Sequence, residues 1–180
     1  MKIIDNIRLR IAKKNLTSEL EHLKRDVRSS DFKDVRSIGL LYFLPDESTY
    51  KTIESLVEQL SALKIRTRIV AYHNGKITPH YFIPKLQQDI ITQKSIGFNL
   101  KPTGIFVNDF INEPFDVLID LSLSCHYPLL HLAAMSKAHM KVGRHTELHE
   151  KIFDFMINVN DDISLPEYIE LVIHYLKKIN

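Results

Sequence analysis

The sequence predicts an α/β fold, namely a three-layer sandwich with a mostly parallel sheet of about five to six strands, preceded by an N-terminal basic amphipathic helix. Short apolar runs of strand length alternate with stretches in which apolar residues recur every three or four positions. Such alternation favours a parallel sheet covered by helices on both faces. The 180 residues fit one α/β domain, predicted at 34–180, after an N-terminal helical segment at 1–33.

The N-terminal segment is predicted to be helical over its first thirty residues, because isoleucine, leucine and valine recur there at helical spacing. A capping box formed by Ser18 and Glu21 predicts a break near Asn15 and a second helix from Ser18. The segment is also basic, since residues 1–36 hold ten Lys and Arg against six Asp and Glu. A basic helix of this kind is either a solvated surface or a contact for an anionic partner.

A strand, a helix and a second strand follow within about forty residues, which is a βαβ unit. Residues 34–44 form a nearly continuous apolar run, as expected of a strand buried on both faces. Pro45 and Asp46 then mark the start of a helix predicted at 49–63. The next strand is predicted at 67–72, and its connection to the first strand should be right-handed.

Residues 76–115 have the weakest pattern, and four of the seven prolines lie there. A short edge strand is predicted at 95–98, and residues 106–110 form either a helical turn or a loop. Regular patterning returns after residue 115. It predicts strands at 116–122, 141–143 and 153–159 and helices at 128–137 and 164–179.

Several segments resemble an uncharacterised bacterial family, a domain of unknown function. The resemblance lies in Ser37-Ile38-Gly39-Leu40-Leu41, Phe115-Asp116-Val117-Leu118-Ile119-Asp120-Leu121-Ser122, Tyr127-Pro128-Leu129, Ala133-Ala134-Met135-Ser136-Lys137-Ala138, Lys141-Val142-Gly143 and Tyr175-Leu176-Lys177. It covers most of the chain and implies a Rossmann-like α/β fold with no established activity. A weaker local similarity, over about thirty residues, is to the N-terminal half of heptosyltransferase-like glycosyltransferases. Those enzymes need a second nucleotide-sugar domain, which 180 residues cannot hold.

Composition excludes several classes of protein. Cys125 is the only cysteine, so no intramolecular disulfide framework can form. No apolar run approaches the length of a membrane span, and the first residues do not resemble a signal peptide. The expected location is therefore the cytoplasm.

Phosphate-binding motifs are also missing from the sequence. Only five glycines are present, and neither Gly-x-Gly-x-x-Gly nor Gly-x-x-x-x-Gly-Lys-Ser/Thr occurs. The turn after the first strand has Asp46 and Glu47, which would repel a phosphate. No cofactor is therefore predicted.

The candidate ligand site lies where ligands bind in open parallel sheets, outside the carboxyl ends of the central strands. The turn after the 116–122 strand leads into the amino terminus of a helix, whose free N–H groups can bind an anion. Alternatively, Asp120 and the serines only cap that helix. The predicted ligand-binding residues are Asp46, Asp120, Ser122, Ser124, His126 and Arg144.

Two further groups of residues have a chemical and a structural interpretation. Cys125 is either a nucleophile activated by a helix amino terminus or a small buried apolar residue. His145 and His149 have the spacing of two metal ligands on a helix, yet the surrounding residues suggest a loop. No metal site is therefore included among the predicted site residues.

Two functions remain open. The first is a non-enzymatic module that acts through homodimerisation, or through a protein or nucleic-acid partner docked on the basic N-terminal helix. The alternative is a small-ligand-binding protein, or a transferase, with its site at the carboxyl ends of the central strands.

Overall fold

Six parallel strands form one sheet in the computed structural model, which describes residues 2–28 and 31–179. The strands are β1 Ser37–Phe43, β2 Arg66–Tyr72, β3 Gln88–Ile91, β4 Val117–Asp120, β5 Met140–Arg144 and β6 Phe155–Ile157. The helices are α1 Lys2–His22, α2 Glu47–Ala62, α3 Ile105–Asn112, α4 Tyr127–Met135 and α5 Leu165–Leu176. The predicted α/β fold with a parallel sheet of five to six strands is confirmed.

The spatial order of the strands is β3-β2-β1-β4-β5-β6. The sheet is thus Rossmann-like: it grows in one direction from β1 and in the other from β4. β1 pairs with β4 over Ile38 to Leu41 and with β2 along its whole length. This arrangement places the carboxyl ends of β1 and β4 side by side at the centre of the sheet.

Two hydrophobic cores separate the helices into two outer layers. One core joins α2 and α5 to one face of the sheet, through residues such as Ile53 and Tyr168. The other joins α1, α3 and α4 to the opposite face, through residues such as Leu16, Phe110 and Leu129. β1 contributes to both cores, which explains why its sequence is apolar at nearly every position.

The predicted break in the N-terminal helix is wrong, because α1 runs without interruption from Lys2 to His22. Ala12 and Leu16 are buried against α4, and the Tyr127 hydroxyl donates a hydrogen bond to the Ala12 carbonyl at 2.5 Å. This packing stabilises a continuous helix more than the local cap at Ser18 stabilises a break.

The edge strand predicted at 95–98 is also misplaced. The strand β3 lies upstream, paired with the end of β2, whereas Ser95 lies in a short 3-10 helix. Ile96 makes only an isolated bridge, with Pro102. Among the residues that the structure describes, no helix is long and apolar enough to cross a bilayer.

Candidate functional site

The carboxyl ends of β1 and β4 define the switch-point crevice, which comprises the turn after β1 (44–46) and the connection from β4 to α4 (121–126). In sheets of this order, ligands bind outside these strand ends. The Leu121 N–H donates a hydrogen bond to the Leu41 carbonyl at 2.8 Å, so the connection leaves β4 in contact with β1. The six predicted site residues all lie at or after the ends of β1, β4 and β5.

Asp46 follows β1 in the chain and caps the amino terminus of α2. Its Oδ1 accepts a hydrogen bond from the Thr49 N–H at 2.8 Å, as an N-cap residue does. The side chain is exposed at the surface, and the structure gives it no contact with the other predicted residues. Asp46 thus has a structural role that accounts for its position.

Asp120 ends β4 and is buried, with 6% of its surface exposed. Its Oδ1 accepts the Ser122 N–H at 2.9 Å, which holds the turn after the strand. Burial raises the pKa of the Asp120 carboxyl, and the hydrogen bond from the Ser122 N–H opposes this effect. The charged form of Asp120, which would repel an anion, is therefore disfavoured.

Ser122 is the most informative residue of the crevice. It is 7% exposed, and no described residue offers its Oγ a hydrogen-bond partner. Buried hydroxyls are almost always hydrogen-bonded, and an unmet one costs about 1–3 kcal/mol. The described residues thus leave the hydrogen-bonding capacity of this hydroxyl, at the end of β4, unmet.

Ser124 and His126 contact each other through a hydrogen bond of 2.9 Å between Oγ and Nε2. The imidazole also stacks on Phe43, with 3.9 Å between ring centroids, and packs beside Tyr72. Burial lowers the pKa of His126, so the ring favours its neutral form. These contacts join the α4 entry to the ends of β1 and β2.

The amino terminus of α4 has no side-chain cap. His126 occupies the N-cap position, but its ring makes no capping hydrogen bond within the described chain. Pro128, in the first turn, has no N–H of its own. The free N–H groups of this first turn are therefore available to a negatively charged group.

Arg144 ends β5 and reaches across to the β4 connection. Its guanidinium donates to the Leu123 carbonyl and to the Asp161 carboxylate, both at 2.5 Å. The Nε atom, however, is buried and finds no acceptor in the described residues. Arg144 mainly connects two loops, and its Nε–H donor has no acceptor among the described residues.

Thr146 and His149 were not predicted as part of this site. The Thr146 Oγ1 is buried and lacks a partner among the residues described, while the His149 Nδ1–H donates to the Arg144 carbonyl at 2.7 Å. Both lie in the turn between β5 and β6, which has no strand or helix pattern. The sequence predicted only the start of this turn, through Arg144, as part of the crevice, and it contains no signal that singled out Thr146 or His149.

Cations of α1 also approach the crevice. Desolvation raises the pKa of the Cys125 thiol and of the Tyr72 hydroxyl, and the charges of Lys13 and of Arg8, respectively, oppose this effect. Cys125 is exposed, so the interpretation as a small buried apolar residue is wrong. Partial desolvation raises the pKa of its thiol, which favours the less reactive thiol form. This protonation state disfavours a role for Cys125 as a catalytic nucleophile and favours ligand binding as the function of the crevice.

The two histidines with metal-ligand spacing do not converge. His145 faces Glu150, with 3.6 Å between Nε2 and Oε1, whereas His149 is buried beside Phe153. Within 2–28 and 31–179, no group of three or more histidine, cysteine, aspartate or glutamate side chains could hold a metal ion.

A surface cavity of about 830 Å³ lies apart from the crevice, between the β6–α5 connection and α5. Asn158, Asn160, Glu170 and His174 are among its lining residues. None of the six predicted site residues lines it.

Comparison with known proteins identifies a family. The model of a family of unknown function, DUF6913, matches residues 8–179, almost the whole chain. No curated protein and no solved structure matches the chain. The local similarity to heptosyltransferase-like glycosyltransferases is therefore not supported.

Proposed function

We propose that this chain, which belongs to the DUF6913 family of unknown function, binds a small molecule with an anionic group at the switch-point crevice. The observation that supports this function is the set of buried polar atoms left without partners, among the described residues, at the ends of two adjacent strands. They are Ser122 Oγ after β4 and Arg144 Nε and Thr146 Oγ1 at and after β5. Native proteins rarely leave such atoms unpaired.

The charge of the ligand follows from the groups around the crevice. The first turn of α4 offers N–H groups without a side-chain cap, and its dipole favours a negative charge. Burial disfavours the charged form of Asp120, and Lys13 adds a positive charge near Cys125. An anionic group therefore fits this end of the sheet better than a cation does.

A dye-based thermal shift of the protein tests the proposal, because the chain has no tryptophan to report unfolding. The probes are phosphate, nucleotides, dinucleotides and nucleotide sugars. A ligand at about 100 times its dissociation constant adds about 2.7 kcal/mol, which raises the melting temperature by several degrees. We expect Ser122→Ala to reduce this shift.

The matched control is Ser61→Ala, because Ser61 is exposed and lies at the end of α2 remote from the crevice. It should melt and respond as the unaltered protein does. If no anionic probe shifts the melting temperature, or if Ser122→Ala responds like the unaltered protein, the crevice is not the binding site.

Self-association is a second candidate, favoured by apolar residues on the outer side of α1. Ile7 and Ile11 lie one turn apart and are 49% and 39% exposed. Deleting the helix would be a poor test, because α1 also covers the core at Ala12 and Leu16. Sedimentation of the protein with Ile7→Ser and Ile11→Ser should instead give a lower mass than the unaltered chain; equal masses would refute this function.

The basic segment is also a proposed contact for a protein or nucleic acid, although part of its charge is used within the chain. Arg8 donates to the Gly97 and Phe98 carbonyls, and Arg25 pairs with Asp154. Addition of short RNA to the sedimentation experiment tests this contact directly.

We further infer a cytoplasmic location, which the single cysteine supports because extracellular domains are commonly cross-linked by disulfides. Cell fractionation with an antibody against the chain tests this location.

A further inference from the structure

A second cavity, of about 400 Å³, lies between the end of α1, the segment that follows it, β5 and the turn before β6. We refer to it as the basic cavity. Its lining divides into four aliphatic residues and four cationic ones, without a carboxylate. They are Leu20, Leu23, Val27 and Ile152, and Lys24, Arg25, Lys141 and Lys151.

Lys141 is the unusual member of this set. It is 1% exposed, and its Nζ donates one hydrogen bond, to the Ala134 carbonyl at 2.8 Å. An ammonium has three N–H donors, and the described residues supply an acceptor for only this one. Burial, together with the charge of Arg25, lowers the pKa of Lys141 to about 7.

The nearest carboxylate does not pair with this ammonium. Asp154 forms an ion pair with Arg25 through Oδ1, and its Oδ2 accepts the backbone N–H of Lys141 at 2.8 Å. The carboxylate of Asp154 therefore neutralises Arg25 rather than Lys141. Lys141 is thus a lining residue of the cavity whose ammonium has no carboxylate partner among the described residues.

The remaining walls set the shape of a fitting ligand. Lys24 and Lys151 are exposed and add positive charge at the rim, while Leu20 and Leu23 of the N-terminal segment and Ile152 opposite present hydrocarbon. A volume of about 400 Å³ lies in the range of small-molecule sites. Inorganic phosphate would satisfy the cations but leave the aliphatic wall without a partner.

We infer that the basic cavity binds a small aliphatic monocarboxylate, with its carboxylate on Lys141 and its chain against Leu20, Leu23 and Ile152. A bound carboxylate accepts the free N–H donors of Lys141 and stabilises its charged form. The rim lysines favour the same anion from outside.

An amide NMR titration of the full chain tests this site, with hexanoate as the probe. Hexylamine has the same chain and the opposite charge, and phosphate is an anion without a chain. We expect hexanoate to shift the signals of Leu20, Leu23, Val27 and Ile152, and neither of the other probes to do so. Equal shifts with hexylamine or with phosphate would overturn the assignment of a monocarboxylate.

Substitutions then locate the charge that holds the anion. Lys141→Met removes the buried ammonium and should raise the dissociation constant for hexanoate about tenfold or more. Lys151→Gln, at the exposed rim, should raise it about twofold to fivefold without risk to folding. The matched control Lys178→Gln, on an exposed lysine after α5, should leave binding unchanged.

Retention of full affinity by both Lys141→Met and Lys151→Gln would overturn the site. Failure of Lys141→Met to fold would leave Lys151→Gln as the deciding variant. The test does not depend on the switch-point crevice, because Ser122→Ala should bind hexanoate as the unaltered protein does.

Discussion

Replacement of Lys141 by methionine should change how the stability of the protein depends on pH. Lys141 is almost fully buried, and its pKa in the folded chain is about 7, whereas a lysine in an unfolded chain has a pKa of about 10.4. Between these values the unfolded state binds a proton that the folded state does not. The free energy of unfolding should therefore rise with pH across this window.

The size of the effect follows from the two pKa values. A shift of one pKa unit corresponds to about 1.4 kcal/mol, so the contribution of Lys141 should increase by roughly 2–3 kcal/mol between about pH 6 and pH 9. Methionine has no proton to lose, so Lys141→Met should lack this increase. Loss of the hydrogen bond to the Ala134 carbonyl adds a cost that is similar at every pH.

Urea unfolding of the two proteins at several pH values measures this difference. The quantity to compare is the pH dependence of the difference in unfolding free energy between them, because every other titrating group then cancels. Lys178→Met, on an exposed lysine, is the control and should run parallel to the unaltered protein. Parallel curves for Lys141→Met as well would refute the argument that burial penalises the Lys141 charge.

Three further substitutions test the packing that positions the sites, each by urea unfolding. Gly39→Ala places a Cβ 2.9 Å from the Phe115 ring and should cost about 1–3 kcal/mol. Tyr127→Phe removes the hydrogen bond to the Ala12 carbonyl; it should cost about 1 kcal/mol and speed amide exchange in α1. Ser164→Ala removes the capping box of α5 and should cost about 1 kcal/mol. An unchanged free energy of unfolding would contradict each expectation.

The central strands were predictable because their signal is local. The apolar run around β1 and the one around β4 are what burial on both faces requires. The edge strand β3 was not predictable, because two of its four residues are Gln88 and Asp89. Its position depends on pairing with β2 rather than on its own composition.

The residues of the candidate sites were likewise predictable only where their signal is local. Asp120 and Ser122 could be nominated because they follow a recognisable central strand, and ligands of doubly wound sheets bind outside the carboxyl ends of such strands. The role of Lys141 could not be predicted, because a lysine within a strand is normally exposed. Its burial arises where the end of α4 and the segment after α1 meet β5, contacts between residues far apart in the chain.

The two proposed sites lie at opposite ends of β5, which makes their effects separable. Lys141 and Arg144 are three residues apart, or about 10 Å along a strand. Their side chains point to different faces, since Lys141 reaches the end of α4 whereas Arg144 reaches Asp161, just before α5. Substitutions this far apart without shared partners are usually additive.

Lys141 is in register with Leu118 of β4, and Ser122 follows four residues later, so these two residues are also separated along the sheet. We therefore expect the double variant Ser122→Ala, Lys141→Met to combine the two single effects on stability, within about 0.5 kcal/mol. A larger discrepancy would mean that the two ends are coupled. Helix α1 is the element to examine in that case, because Lys13 near the crevice and Leu20 in the basic cavity lie on the same helix. Tyr127→Phe, which loosens the contact of α1 with α4, would then abolish the discrepancy.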